Sequence, residues 1–177
     1  GAVTNYAFNN VTANHTISAS FAIDVWSILA SAGAHGSIAP NGAVGVNSGG
    51  SQAFTITPDA GYHVADVLVD GSSIGAVTGY TFTNVTTNHS IAASFAIDQH
   101  AVAITTVGSG SVLKSPDQPL YDFGTTLTLS AQPASGFAFL GWSGDTVTTG
   151  DPLVITVTGA RAYTATFADT LPPTVSV

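Results

Sequence analysis

The chain has 177 residues, and its ten acidic residues, all of them Asp, face only two basic residues, Lys114 and Arg161. The formal net charge is -8 at pH 7, and charged residues make up 7% of the chain, compared with about 25% in an ordinary soluble domain. Because phosphate contacts need Lys and Arg, this composition excludes nucleic-acid binding, and the absence of cysteine excludes disulfides and thiolate metal sites.

The chain begins with an incomplete repeat. Residues 1–24 and 75–98 carry the same amino acid at 18 of 24 positions, at an offset of 74 residues. Residues 1–24 therefore correspond to the C-terminal part of a repeat, and residues 25–98 form one complete repeat.

A divergent copy of the repeat follows at about 99–169. Its segment Pro133–Phe137 matches Pro58–Tyr62 of the complete repeat, and small loop insertions account for the drift in the offset. The tail, residues 170–177, contains two adjacent prolines, so we interpret it as a stiff linker that leads into a next strand.

Within a repeat the apolar residues recur with a period of two, which predicts β-strands. The runs Ser51–Thr57, His89–Ile97, Thr126–Ala131 and Leu153–Thr158 follow this pattern, and strict alternation over Tyr62–Asp70 predicts two opposite faces there. Clusters of Gly and Asn separate the runs as turns. The sequence predicts an all-β fold with five to seven short strands per repeat, arranged as tandem modules of about 74 residues, like beads in an elongated chain.

Short segments of both repeats resemble a known family. These are the Pro-x-x-Gly-aromatic steps Pro58–Tyr62 and Pro133–Phe137, the segment Gly141–Asp145 and the closing run Thr164–Ala168. Together they resemble divergent InlB B-repeat modules, bacterial cell-surface repeats of the Listeria–Bacteroides type. The resemblance covers residues 1 to about 169, and it implies a small β-rich module, β-grasp-like in its better-known relatives, without catalytic residues.

The two repeats depart from each other at one segment. The complete repeat carries Val67–Gly71 where the divergent repeat carries Leu140–Asp145. We therefore expect the two modules to pack differently at this point.

Histidines are the candidates for acid–base catalysis. His15 and His89 occupy the same repeat position, and a group copied in each repeat more often serves the repeat than one active site. The chain has no Gly-x-Ser-x-Gly elbow, and the His-Glu-x-x-His motif is impossible because Glu is absent. We therefore expect neither an enzyme nor a cofactor.

Four aspartates are weak candidates for Ca²⁺ ligands: Asp66, Asp70, Asp145 and Asp151. Asp is also a common turn residue before Gly, as in Asp70-Gly71, and this alternative is favoured because the spacings are generic. The sequence therefore predicts no metal site.

Aromatic side chains are candidates for a sugar-binding platform, namely Trp26, Tyr121, Trp142 and Tyr163. A small β unit also needs large aromatic residues to fill its core, and we favour this alternative.

Four Asn-x-Ser/Thr motifs are candidates for N-glycosylation, at Asn10, Asn14, Asn84 and Asn88. The alternative is that these asparagines close tight turns, which a repeat would preserve.

The incomplete repeat at residues 1–24 has two interpretations. An isolated pair of strands is marginally stable in water, so a segment cut from a tandem array should fray or add to a neighbouring sheet edge. Alternatively the segment completes a sheet in an adjacent subunit by strand addition. The assembly strands would then contain Tyr6, Phe8, Ile17 and Phe21.

The sequence predicts a non-catalytic extracellular structural repeat protein, a stalk or spacer of a surface adhesin. The alternative is a subunit of an extracellular filament that assembles head-to-tail through residues 1–24, and a carbohydrate- or calcium-binding surface module comes third. The expected partners are other copies of the chain or neighbouring repeats of a longer parent, with surface glycans as a further class. We expect no membrane insertion, because no run of about 18 apolar residues is present.

Overall fold

The computed structural model of the chain describes residues 3–171, so residues 172–177 of the predicted linker lie outside the described residues. The all-β prediction is confirmed, because strands make up 59% of the described residues and no helix occurs among them. That part of the chain accordingly holds no apolar helix of membrane-spanning length.

The first module contains the strands β1 (Val25–Ala32), β2 (Gly36–Ala39), β3 (Gly42–Asn47), β4 (Gly50–Pro58), β5 (Tyr62–Val69), β6 (Ser72–Ser73), β7 (Gly79–Val85) and β8 (His89–Ile97). The second module contains β9 (Gln99–His100), β10 (Val102–Val107), β11 (Gly110–Ser115), β12 (Tyr121–Asp122), β13 (Thr126–Pro133), β14 (Phe137–Gly144), β15 (Leu153–Thr156) and β16 (Arg161–Asp169).

Two sheets form the first module. The larger sheet has the order β3-β1-β8-β5-β6, in which β1 and β8 run parallel and the other neighbours run antiparallel. The smaller sheet has the antiparallel order β2-β4-β7. One buried cluster takes side chains from both sheets, so the core lies between two β layers and a second sheet, not a helix, covers the first. Its buried members are Ile28, Ala30, Ile38, Val46, Phe54, Ile56, Val64, Val67, Phe82, Val85, Ile91 and Ala93.

The second module repeats this arrangement with fewer pairings. Its sheets have the orders β10-β16-β14 and β11-β13-β15, and β10 and β16 are parallel as β1 and β8 are in the first module. The short pair β12-β9 joins the start of the module to its middle. A separate buried cluster fills this module and includes Tyr121, Leu127, Leu129, Trp142, Val157 and Phe167.

The prediction of strict alternation over Tyr62–Asp70 was wrong. Val64 and Val67 are both buried, although strict alternation would place them on opposite faces. A bulge in the pairing of β5 with β8 falls between Val64 and Asp66 and shifts the later residues by one position. The bulge thus turns Val67 into the core.

Trp142 in the second module takes the place of Val67 in the first. Val67 pairs with Ala93 of β8, and Trp142 pairs with Ala165 of β16, the corresponding strand. Trp142 is 2% exposed, and a bulge between Phe139 and Gly141 precedes it. The expected difference between the modules is therefore a change of core side chain within the same β architecture.

The buried Trp142 ring predicts a large loss of stability on truncation. Trp142→Ala should lower the free energy of unfolding of the second module by about 3–5 kcal/mol, because it removes the largest fully buried side chain and leaves a cavity. Leu140→Ala, on the same strand but exposed, should change it by no more than about 0.5 kcal/mol. Urea unfolding followed by circular dichroism measures both, and equal losses would contradict the placement of the ring in the core.

Candidate functional site

Each of the four aspartates considered as metal ligands accepts a hydrogen bond from a backbone N–H. Among residues 3–171, no three His or Asp side chains form a group able to hold a metal ion. The carboxylates instead hold the backbone in place: Asp66 lies at the bulge of β5, and the other three lie in segments between strands. The N···O distances are 2.8 to 2.9 Å for the donors Val67, Ser90, Ala162 and Ala131, which bind Asp66, Asp70, Asp145 and Asp151 respectively.

Two of these aspartates make the same pair of bonds in the two modules. The Asp70 N–H donates to the Ser90 carbonyl (3.0 Å), and the Ser90 N–H donates to Asp70 Oδ1 (2.8 Å). The Asp145 N–H donates to the Ala162 carbonyl (3.1 Å), and the Ala162 N–H donates to Asp145 Oδ2 (2.8 Å). These reciprocal bonds fix the end of one strand to the start of the last strand in each module.

Asp70 also binds His89. The distance from Asp70 Oδ2 to His89 Nδ1 is 2.7 Å, and this hydrogen bond, more than any other contact, holds the pKa of Asp70 below its ordinary value. Asp70 and Gly71 both have positive φ, 49° and 80°, which is the backbone of a tight hairpin turn. Asp tolerates this conformation, so the residue serves the turn and the hydrogen bonds at once.

Three of the four candidate sugar-platform residues lie in the core. Tyr121, Trp142 and Tyr163 are all less than 5% exposed, so their ring faces are not accessible to a sugar. Trp26 is half-buried and packs against the core of the first module. The structure therefore does not bring these residues together on an open face.

The asparagines of the four N-glycosylation motifs are exposed, and three of them have an evident backbone role. Asn10 and Asn84, at the same repeat position, have φ values of 52° and 51°. Asn88 Oδ1 accepts a hydrogen bond from the Ser27 N–H at 2.9 Å. Asn tolerates positive φ better than most residues, but Asn84 lies within β7, opposite the register shift between Gly50 and Gln52, so the turn alternative stays a prediction.

The joint between the two modules is built from backbone hydrogen bonds. The Asp98 N–H donates to the Gly61 carbonyl, and the Phe123 N–H donates to the Asp98 carbonyl, each at 2.8 Å. The Asp98 side chain lies 2.7 Å from His63 Nδ1. Asp98 therefore binds the first module through Gly61 and His63 and the second through Phe123.

Phe123 also packs directly on Gly61. The φ of Gly61 is 80°, and a Cβ on this residue would overlap the Phe123 ring. In the second module the Thr170 N–H donates to the Gly136 carbonyl in the same way, and Leu171 lies over Gly136. The glycine of the Pro-x-x-Gly-aromatic step thus receives an apolar side chain from the chain that follows each module.

Sequence reasoning did not identify Asp98 or Phe123. The match of Pro58–Tyr62 with Pro133–Phe137 gave the signal that Gly61 is a repeated position. It gave no information about which side chain covers this glycine, because Phe123 comes from the other module.

The four residues proposed as assembly strands lie in an exposed N-terminal arm, residues 3–24. No strand is assigned within this arm, and Phe21 is 96% exposed. The arm nonetheless joins the first module as a preceding repeat would: the Ser48 N–H donates to the Asp24 carbonyl at 2.8 Å, as Phe123 does to Asp98. The role in assembly stays a prediction.

Comparison with known proteins gives one match. A family model described as "Divergent InlB B-repeat domain" matches the chain twice, over residues 27–99 and 100–171. No curated protein sequence matches the chain.

The contacts of Asp70 predict a stability that depends on pH. Asp70→Ala should lower the free energy of unfolding of the first module by about 1–2 kcal/mol, because Ser90 and His89 lose their acceptor. Asp70→Asn retains an acceptor and the tolerance of positive φ, so its loss should be smaller.

The sign of the pH effect follows from the lowered pKa of Asp70. Its contribution is fully present above the ordinary Asp pKa of about 3.9 and is lost as the pH falls through the lower pKa of the folded state. The difference between wild type and Asp70→Asn in urea unfolding should therefore shrink from pH 7 to pH 3. A difference that grows on acidification would contradict this role.

The contact of Phe123 with Gly61 predicts coupling between these residues. Gly61→Ala should destabilise the chain more than Gly71→Ala, because both glycines have a φ of 80° but only Gly61 lies beneath a side chain. The double variant Gly61→Ala/Phe123→Ala should lose less stability than the sum of the two single variants, since the clash is removed. Urea unfolding of the four variants measures this coupling, and strict additivity would refute the contact.

Proposed function

Since the chain belongs to the divergent InlB B-repeat family, we propose that it is a non-catalytic structural spacer, a stalk segment of an extracellular surface adhesin. The family is associated with bacterial surface proteins, which supports this location. The repeats of such a segment hold a functional domain away from the surface to which the protein is attached.

The observation that carries this proposal is the joint between the modules. Asp98 is the last residue before β9, and it hydrogen-bonds to Gly61 of the first module and Phe123 of the second. The modules therefore meet without a free linker, which suits a segment that keeps its two ends a fixed distance apart. The same backbone bond at Asp24 and Ser48 provides the connection to a preceding repeat.

The surroundings of the polar side chains also favour a structural role. The carboxylates of Asp66, Asp70, Asp145 and Asp151 each accept a hydrogen bond from a backbone N–H group of the same module. His63 and His89 each pair with an aspartate that also holds the backbone. These groups are engaged in positioning the chain itself.

A second candidate function is a subunit of an extracellular filament. The N-terminal arm favours it, because Tyr6, Ile17 and Phe21 are each more than half exposed on a segment with the sequence of two core strands. An exposed strand sequence is a ready partner for an open sheet edge. In such a filament the arm of one subunit would complete a module of the next.

Size-exclusion chromatography with light scattering and negative-stain microscopy separate the two functions. A spacer should remain a monodisperse monomer at high protein concentration. Deletion of residues 1–24 should leave both modules folded, and each particle should still contain one chain. A filament subunit should form particles that grow with concentration, and the same deletion should abolish them. Filaments that persist after the deletion would contradict both proposals.

A further inference from the structure

The N-terminal arm has the same core side chains as residues 75–98, the segment that contains β7 and β8. Seven side chains of that segment contribute to the core of the first module, and the arm has the same amino acid at all seven positions. The seven are Val77, Tyr80, Phe82, Val85, Ile91, Ala93 and Phe95, which correspond to Val3, Tyr6, Phe8, Val11, Ile17, Ala19 and Phe21.

The six differences between the two segments avoid the core. Five fall at exposed positions of the first module, and the sixth replaces the half-buried Ala92 by Ser18. Asn5 replaces Gly79, where a Cβ would lie 3.3 Å from the Phe54 carbonyl oxygen, so Asn5 requires this oxygen to move by a few tenths of an ångström. The arm is therefore compatible with the place that β7 and β8 occupy.

Two aromatic contacts of β7 and β8 recur in the arm. Tyr6 and Phe8 lie edge to face with ring centroids 5.0 Å apart, as Tyr80 and Phe82 do at 4.9 Å. The rings of Phe8 and His15 lie 4.9 Å apart, the same separation as for Phe82 and His89.

The two halves of the arm enclose an open hollow of about 1020 Å³, lined by Tyr6, Phe8, Ile17 and Phe21 among others. In the first module the corresponding side chains of β7 and β8 close on the core that β1 to β5 provide. The arm thus holds the corresponding side chains around a hollow that no other part of a module fills.

The register of the sheet prevents the arm from filling this place in its own chain. His89 of β8 lies beside Ile28 of the parallel strand β1. If the arm replaced β8, Asp24 would take the position of Asp98, nine residues beyond His89, whereas Val25 stays three residues before Ile28. At about 3.3 Å per residue the two would lie about 40 Å apart, although they are joined by one peptide bond.

We propose that the N-terminal arm donates the last two strands of a module to a second copy of the chain, where it occupies the site formed by residues 25–74 in place of residues 75–98. This inference rests on the filament function proposed above, and it specifies which residues of the next subunit receive the arm. Donor and displaced segment offer the same core side chains, so the exchange conserves the buried apolar contacts.

The chain's own strands hold an advantage in this competition. Residues 75–98 are tethered beside their site, which gives them an effective concentration in the millimolar range. An arm from a second copy therefore prevails when the local concentration of chains is comparable, or when β8 of the acceptor is weakened. The second condition can be set by mutation.

The test uses one acceptor and two donors. The acceptor is Ile17→Asp/Ile91→Asp. The Ile91→Asp change places a charge at a position of β8 that is 1% exposed and so weakens this strand. The Ile17→Asp change places a charge at the corresponding position of its own arm. The donors are the wild-type chain and Ile17→Asp, in which the substituted residue is 67% exposed, so the donor modules stay folded. Light scattering should show a 1:1 complex with wild type and at least tenfold weaker binding with Ile17→Asp.

A complex of equal affinity with both donors, or with neither, would overturn the proposal. Where the acceptor precipitates, Ile17→Asp/Ile91→Ala takes its place, since it leaves a cavity in β8 without a buried charge. The outcome is independent of whether the wild-type chain alone forms filaments. If the wild-type chain is monomeric and nevertheless binds the acceptor, the filament function is wrong, but the acceptor site for the arm is supported.

The register also predicts a specific crosslink. Ser31 pairs with Ala92, the counterpart of Ser18, so Ser18→Cys on the donor should form a disulfide with Ser31→Cys on the acceptor. Ser27→Cys on the acceptor, four residues away on the same strand, is the matched control and should not react. Since the natural chain has no cysteine, each crosslink reports only the introduced pair. Reaction at Ser27→Cys in place of Ser31→Cys would refute the proposed register.

Discussion

The architecture of each module depends on one constraint: the last strand of the repeat is an interior strand of its sheet and has a parallel neighbour on one side. β8 lies between the parallel strand β1 and the antiparallel strand β5, and β16 lies likewise between β10 and β14. Parallel neighbours cannot be joined by a tight turn, so the intervening strands of the module form the connection between them. A repeat without its last two strands therefore loses the interior of one sheet, and the strands alone leave their apolar side chains exposed, as the N-terminal arm does.

The same strand determines where consecutive modules meet. β8 ends beside the start of β5, so the residue after it, Asp98, donates its N–H to Gly61. The next module begins at once, and its Phe123 reaches the same glycine. At the end of β16 the bond from Thr170 to Gly136 recurs, with Leu171 over the glycine. A residue without a side chain is needed at this position because an apolar group from the following segment packs there.

The sequence was sufficient to predict features that depend on neighbouring residues, and insufficient for those that depend on distant ones. The alternation in His89–Ile97 predicted β8 with its observed limits, and Asp70-Gly71 is the turn that its composition indicates. The bulge before Asp66 was not predictable, since it arises from pairing with β8. Equally, nothing near Asp98 in the sequence indicates that its carbonyl binds Phe123. The repeat identity did show that the arm has the sequence of β7 and β8, but only the parallel register of β1 and β8 shows that its own module cannot receive it.

The low charge of the chain has a different meaning once the aspartates are placed. Asp66, Asp70, Asp145 and Asp151 accept hydrogen bonds from backbone N–H groups, so these four charges are divided between the two modules, at the bulge of β5 and in segments between strands. At physiological salt such separated charges are screened beyond about 8 Å, and they oppose contact between copies only weakly. Within the modules, β8 and β16 are each enclosed between two neighbouring strands. The arm has the sequence of β8 without that enclosure, so in the proposed exchange an open matching site, and not net charge, decides whether the arm binds.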